Sequence, residues 1–519
     1  MKKKLILMIS LLLTCLSVSA AELTDVVETE YGALQGLMSK DHQVSIYKGI
    51  PYAQAPVGSL RWQAPKMLQP WLGLKHTMQY QAGCYQIQHG EVLPWTKEFL
   101  HTTLMSEDCL YLNIWAPNSK SATRKPVIVF IHGGGFIEGS GSVPIYDGEN
   151  LARAGVVFVT INYRLGEFGF LAASALKDSL GTTGNYGLQD QIAALKWIKE
   201  NIGAFGGDPR NVTLVGQSAG ANSILFLQTS PLTAGLFHQS VIESPTPAFY
   251  HNRGLTEENV LRTLFTATLL EQKIAATDKF LQEKGLTVKQ LKAMSPEAVL
   301  KVIDRNKVLL VPAVDGYVLD RAIYDVLTTT HRYSGAVMLG FTQDDMSGFY
   351  PDYRIGGQKA FDKYVAYSYP SNAQVIMKLY PDKPIQSLNR QENMLATQAL
   401  SKLLGRFTGN DVFSYYFNQP VAWEAQQDYG TFHTSEVPFL LRNLGKVTGP
   451  VTDEQRAVST LFSRHLIQFV KTGDPTYTGH LWTSVSDDPK WIYAVNSNAH
   501  MFAPGFSAGQ EAAIRQFGL

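Results

Sequence analysis

Long apolar runs are scarce in this sequence. Beyond the opening Leu5 to Leu16 segment, no stretch approaches the length that a membrane-spanning helix needs, so no stable membrane span is expected. Charge of one sign is also lacking. Lys and Arg total 45 against 44 Asp and Glu, which leaves no basic excess for a nucleic-acid partner. Neither His-Glu-x-x-His nor Cys-x-x-Cys occurs, so no metal is implied and no cofactor is expected. Repeats, low-complexity tracts and Gly/Ser/Pro-rich linkers are absent. The 519 residues could make several domains by length alone, yet no boundary divides them.

Cysteine is scarce too: Cys15, Cys84 and Cys109 are the whole complement. Cys15 falls in an N-terminal stretch with the form of an export signal. Lys2–Lys4 supply a basic region, Leu5 to Leu16 an apolar one, and Val18-Ser19-Ala20 a small-x-small cleavage site. Residues 1–20 therefore read as a signal peptide, with the mature chain starting at Ala21 and the protein exported, periplasmic or secreted. Lipid anchoring through Cys15 is a minor alternative, because Thr14 stands where a smaller residue is expected. Loss of three lysines takes the net charge from +1 to −2. Cys84 and Cys109 then remain in an oxidising compartment. One disulfide closing a loop of about 25 residues, contributing roughly 3 kcal/mol, is the economical reading. Two separate buried thiols are the alternative.

What the chain does have is glycine at particular places. Val212-Thr-Leu-Val215 reads as a buried strand, Gly216-Gln-Ser-Ala-Gly220 follows, and Ala221 to Gln228 has helical composition. Strand, Gly-x-Ser-x-Gly and helix in that order are the context of a nucleophile elbow, which exposes the Ser218 hydroxyl and leaves the Ala219 N–H at a helix start. Val127 to Ile131 reads as a second buried strand and runs into His132-Gly-Gly-Gly-Phe136. Three bare glycines suggest backbone N–H groups pointed at one oxygen. A phosphate loop would need a Gly-Lys-Ser/Thr that is missing.

Further strands are expected over Val156–Ile161, Ala336–Phe341 and Val412–Phe417, and helices over Leu188–Ile202 and Glu454–Lys471. Residues 255–306 turn helical and charged. The pattern is an α/β fold, a mostly parallel sheet with helices on both faces. We read it as one domain over 21–519, with a helical insertion around 250–335 covering the active-site end. Asp344 and Asp345 follow the Ala336–Phe341 strand, and His433 lies in a loop after the Val412–Phe417 strand. Ser, then Asp, then His is the order that α/β-hydrolases use. The imidazole would accept the serine proton and an aspartate would orient it.

Several strings together resemble the type-B carboxylesterase/cholinesterase family of α/β-hydrolases, from about Tyr31 to Trp482. They include Tyr47-Lys-Gly-Ile-Pro-Tyr-Ala53, Ser106-Glu-Asp-Cys-Leu-Tyr-Leu-Asn-Ile114, His132–Phe136, Gly184-Asn-Tyr-Gly-Leu-Gln-Asp-Gln191, Gly216–Gly220 and Phe432-His-Thr-Ser-Glu-Val-Pro438. The resemblance implies Ser218 as nucleophile, His433 as base, and Gly134, Gly135 and Ala219 as oxyanion donors. It implies a Cys84–Cys109 bridge beside the gorge, and structural ion pairs Arg61–Glu107 and Arg164–Asp190.

The family acid is usually glutamate. Asp345 stands at that place, with Asp344 the runner-up. Gln217 stands where choline-hydrolysing members carry glutamate, and Phe99, with Trp95 nearby, where they carry tryptophan. With Phe136 these are the candidate pocket residues, and they suit a neutral ester better than a cationic one. The expected activity is hydrolysis of neutral carboxylic esters, small molecules, through an acyl-enzyme. The alternatives are an amidase, carbamate hydrolase or lipase-like enzyme, or a catalytically silent binding or adhesion module on the same fold.

Overall fold

A computed structural model describes residues 22–505, apart from 101–103, 120–122, 246–267, 331, 350–356, 370–372, 381–384, 410 and 486–490. The segment 1–20, expected to be an export signal, and the first part of the 250–335 insertion lie outside the described residues.

Eleven strands form the central sheet: β1 (Leu37–Met38), β2 (Val44–Pro51), β3 (Tyr111–Pro117), β4 (Lys125–Ile131), β5 (Val157–Ile161), β6 (Gly207–Gln217), β7 (Gln239–Glu243), β8 (Val337–Thr342), β9 (Val412–Phe417), β10 (Ile492–Val495) and β11 (His500–Phe502). Their spatial order is β11-β10-β9-β8-β7-β6-β4-β5-β3-β2-β1. Pairing is parallel from β10 across to β5 and antiparallel at both flanks. Both faces are covered, which explains the unbroken apolar runs of the central strands. In β4, Val127, Val129 and Ile131 enter one core cluster while Ile128 and Phe130 enter the other. In β5, Val157, Val159 and Ile161 face the first cluster and Phe158 the second. The period of two decides which side each residue serves.

Helices α1 (Tyr186–Asn201) and α2 (Ala219–Thr229) lie on the first face, and every residue of α2 is buried. A helical group follows: α3 (Leu270–Lys284), α4 (Val288–Ala293) and α5 (Pro296–Val302). Arg61 ties it to the body. Its Nη1 donates to the carbonyls of Leu291 at 3.0 Å and Met294 at 2.8 Å, while Nε donates to Glu107 at 2.7 Å. A second helical group stands between β8 and β9: α6 (Gly357–Ser368), α7 (Ala373–Leu379) and α8 (Ile385–Thr408). The sequence reading did not anticipate this group. The late helix α9 (Asp453–Thr472) carries a capping box between Thr452 and Gln455, and ends at Gly473 with a left-handed φ of 81°. Cys84 and Cys109 form a disulfide with an S–S distance of 2.03 Å. Arg164 and Asp190 pair at 2.7 Å, both buried.

Candidate active site

The elbow sits at the carboxyl end of β6, in the middle of the sheet. β6 runs as far as Gln217 and α2 begins at Ala219, so Ser218 alone makes the turn. Its φ is 57° and its ψ −122°, a region that costs a side-chain-bearing residue energy and persists only where neighbours enforce it. The enforcement comes from hydrogen bonds and crowding. Ser218 N donates to the Glu243 carbonyl on β7 at 2.9 Å, and Asn222 N donates to the Ser218 carbonyl at 2.9 Å. A Cβ on Gly220 would lie 1.9 Å from the Ile131 carbonyl oxygen, and one on Gly216 would lie 2.7 Å from the Gly220 carbonyl. Both glycines are there because nothing larger fits.

The loop after β4 lies directly against this turn. A Cβ built on Gly133 would approach the Gln217 carbonyl oxygen to 2.8 Å and the Ser218 Cβ to 3.0 Å. Gly134 and Gly135 then take φ values of 101° and 61°. The Gly134 carbonyl accepts from the N–H groups of Ile137 and Glu138, both at 3.0 Å, which closes the loop into a tight turn. Among the described residues, no protein acceptor takes the N–H of Gly134, Gly135 or Ala219. These three bare amides come from the two segments that meet at Ser218, the arrangement an oxyanion needs.

The imidazole arrives from the loop after β9. His433 is 3% exposed, and its Nδ1 lies 3.0 Å from Asp345 Oδ1. Asp345 follows β8, is fully buried, and also accepts from the Thr342 hydroxyl at 2.8 Å. Asp344 points elsewhere. Its Oδ1 accepts from Arg390 on α8 at 2.7 Å, and its Oδ2 accepts from the Thr431 N–H at 3.1 Å. Of the two adjacent aspartates, one therefore faces the ring and the other fastens the loop that carries it. Burial opposes a charge on His433, but the Asp345 carboxylate and its hydrogen bond outweigh burial and hold the pKa above the ordinary 6.5.

Two buried carboxyls sit behind the site. Burial raises Glu436 to about 8, and raises Glu243 well above the usual range. Sequence reading missed both. The apolar context of Glu243 in Ser240-Val-Ile-Glu243 was the available signal.

The candidate pocket residues divide. Trp95 Nε1 donates to the His433 carbonyl at 3.2 Å, and its ring meets Phe349, which in turn meets the His433 ring with centroids 5.2 Å apart. Gln217 is buried and its Nε2 lies 3.0 Å from His433 Nε2. Phe136 is buried between Phe170 and Phe226, directly after the three glycines. Phe99 packs on Trp423 and Phe432, under the histidine loop, so it serves as core there. Among the described residues, no cluster of three or more His, Cys, Asp or Glu could hold a metal, and no helix is long and apolar enough to cross a membrane.

A serine on a strand-to-helix turn, bare amides beside it and a carboxylate-backed histidine, all at the carboxyl ends of a parallel sheet, define an α/β-hydrolase of the serine-hydrolase class. Within that class the chain belongs to the carboxylesterase family, whose family model matches residues 23–509. It is 32% identical to the para-nitrobenzyl esterase of Bacillus subtilis (strain 168) over 494 residues, which cover 91% of this chain and 95% of that protein. It is 32% identical to the phenmedipham hydrolase of Pseudarthrobacter oxydans, over 92% of this chain and 96% of that one. A shorter match, 45% identical over 219 residues, reaches the fumonisin B1 esterase of Sphingopyxis macrogoltabida and covers 42% of this chain and 39% of that one. Two solved structures of PNB esterase superpose with TM-scores of 0.77 and 0.74 at 30% identity, each covering 95% of this chain and 99% of its own. The protein is a serine carboxylesterase, and its substrate is a small-molecule ester.

Proposed function

We propose that Ser218 is the nucleophile, His433 the general base and then general acid, and Asp345 the carboxylate that orients and stabilises the imidazolium. The carbonyl oxygen of the ester takes its developing charge to the N–H groups of Gly134, Gly135 and Ala219. The alcohol leaves with the proton held on His433, and water, deprotonated by the same ring, releases the acid from the acyl-enzyme. The observation that carries this reading is the 3.0 Å bond from the buried His433 Nδ1 to Asp345 Oδ1, beside a serine elbow fenced by free amides.

The substrates in this reading are neutral aryl or alkyl esters. Gln217 supplies no charge at the position next to the nucleophile, and Trp95 and Phe349 present aromatic surface around His433. The name of the para-nitrobenzyl relative makes p-nitrobenzyl and p-nitrophenyl esters the first substrates to test. A second reading, hydrolysis of phenmedipham, is supported by the full-length similarity to that hydrolase and belongs in the same assay. The lysine-led apolar segment before Ala21 supports export to the periplasm or medium.

A p-nitrophenyl butyrate time course should show a burst of one p-nitrophenol per chain when deacylation is made slow. Ser218→Ala should abolish burst and turnover alike. Turnover of Ser218→Ala near the wild-type rate removes the assignment.

A further inference from the structure

The ring nitrogen that ought to face the nucleophile is occupied by something else. His433 Nε2 lies 3.0 Å from the side-chain nitrogen of Gln217, while the Ser218 hydroxyl has no hydrogen-bond partner among the described residues. A carboxylate only accepts, so the proton of the neutral ring sits on Nδ1 and is donated to Asp345 Oδ1 at 3.0 Å. Nε2 is then left as an acceptor, and the N–H of the Gln217 amide is the partner that meets it. The neutral imidazole therefore has its single lone pair covered by the residue preceding the nucleophile.

Gln217 is built to stay there. It is the last residue of β6, paired in register with Glu243 of β7, and it is 2% exposed. Its backbone carbonyl and its Oε1 lie on the side of Gly133, the first glycine of the loop after β4, where a built Cβ would come within 2.8 and 3.0 Å of them, so the side chain sits between that loop and the imidazole.

We propose that Gln217 is a positioning residue that holds His433 in the resting enzyme, covering the lone pair that Ser218 needs and yielding it when an ester enters the site. The inference rests on the assignment of Ser218 and His433 above. In the imidazolium stage of the reaction Nε2 becomes a donor, and the same amide can meet it with Oε1 after a half-turn about its terminal torsion. One side chain then serves both protonation states, where a carboxylate would serve only the charged one.

The charges that face the ring are Asp345 from the end of β8 and Glu436 from its own loop. Behind them lie Glu243 at the end of β7 and Asp344, the latter paired with Arg390 of α8. Gln217→Ala and Gln217→Asn add no charge to this set, whereas Gln217→Glu places a further carboxylate beside Glu243, with which residue 217 pairs in register. A hydrogen bond donated to the neutral ring disfavours its protonation, so its removal must move the acid limb of the pH–rate profile upward.

The test is the acid limb of kcat/KM for p-nitrophenyl butyrate in wild type, Gln217→Ala, Gln217→Asn and Gln217→Glu. Gln217→Ala should shift the limb up by about 0.5–1 pH unit, the worth of one neutral hydrogen bond. Gln217→Asn, one methylene short of the ring, should follow Gln217→Ala. Gln217→Glu should shift it by about 1 unit or more, because a carboxylate favours the imidazolium. If the glutamate variant does not fold, the alanine and asparagine limbs carry the test. Limbs that coincide with wild type, or that move down, overturn the proposal. The Ser218→Ala assay reads the underlying assignment separately: activity there sinks the nucleophile, whereas an inactive Ser218→Ala with unmoved Gln217 limbs sinks only the role of Gln217.

Discussion

The turn around Ser218 and the glycine loop after β4 meet at Ser218 and need glycine in different ways. In the turn, Gly216 and Gly220 have ordinary negative φ but no room: Gly220 abuts the Ile131 carbonyl and Gly216 abuts Gly220 itself. In the loop, Gly135 has room, with the nearest atom 3.7 Å from a built Cβ, but a left-handed φ of 61°. Gly134 has both constraints, with φ 101° and the Glu138 carbonyl oxygen 2.1 Å from the built Cβ. The elbow leaves its one left-handed residue, Ser218, without glycine's help, so the strain is stored at the proposed nucleophile. Crowding is an all-or-none constraint, whereas a backbone preference is a graded one. The two segments should therefore fail differently when the same methyl group is added.

The largest effect is expected at Gly220→Ala. The new methyl meets main chain from another strand, so α2 must move away from β4. Activity should vanish, with a loss of roughly 3 kcal/mol or more in urea denaturation, at the upper end for overpacking. A stable, active Gly220→Ala enzyme would break the comparison at its strongest point. Gly134→Ala comes next. It should disturb the loop without displacing the sheet, and lower kcat by about 10²–10³-fold, as the loss of one oxyanion donor does. Gly135→Ala pays only for its φ, about 1–2 kcal/mol of stability. Its kcat should fall less than that of Gly134→Ala, as steady-state kinetics on the two variants will show.

The aspartate pair sharpens the same contrast between a group that faces the chemistry and one that holds the frame. Asp345→Asn should cost about 10⁴-fold in kcat by favouring the wrong tautomer. Asp344→Asn loses a partner for Arg390, whose side chain is partly exposed, and should act mainly on stability. The smallest effect is on pH. In the proposed mechanism activity requires neutral His433, and Asp345 holds its pKa above the ordinary value against burial. Activity should therefore rise with pH through a limb lying above 6.5. A limb below that value contradicts this balance of burial and charge.

Much of this site was legible in the sequence because its pieces are local. Strand, turn and helix around Ser218 are consecutive, and so are β4 and its glycines. The strand over residues 412–417 is legible to the residue, since aromatic and β-branched residues fill every position but Ser414. Contacts across the chain were less legible. Asp344 and Asp345 are neighbours, and only the direction in which the chain leaves β8 decides which one meets His433. Phe99 was expected in the pocket, yet tertiary packing buries it against Trp423 and Phe432. The Gln217–His433 contact joins residues 216 apart, and no local pattern announces it. Helices α6 to α8 were missed although α8 runs 24 residues without proline. Its apolar positions are spread round the helix, because it packs on β8 and β9 on one side and on α6 on the other.

The central claim, that the Ser218 oxygen is the atom His433 deprotonates, is tested most directly by covalent labelling. The enzyme should be treated with diethyl p-nitrophenyl phosphate, then digested and mapped by mass spectrometry. The account predicts one diethylphosphoryl group per chain, on Ser218 within the Gly216–Gly220 peptide. Labelling should be greatly slowed in His433→Ala and lost in Ser218→Ala. A label on another residue, or equal labelling of Ser218→Ala, would contradict it.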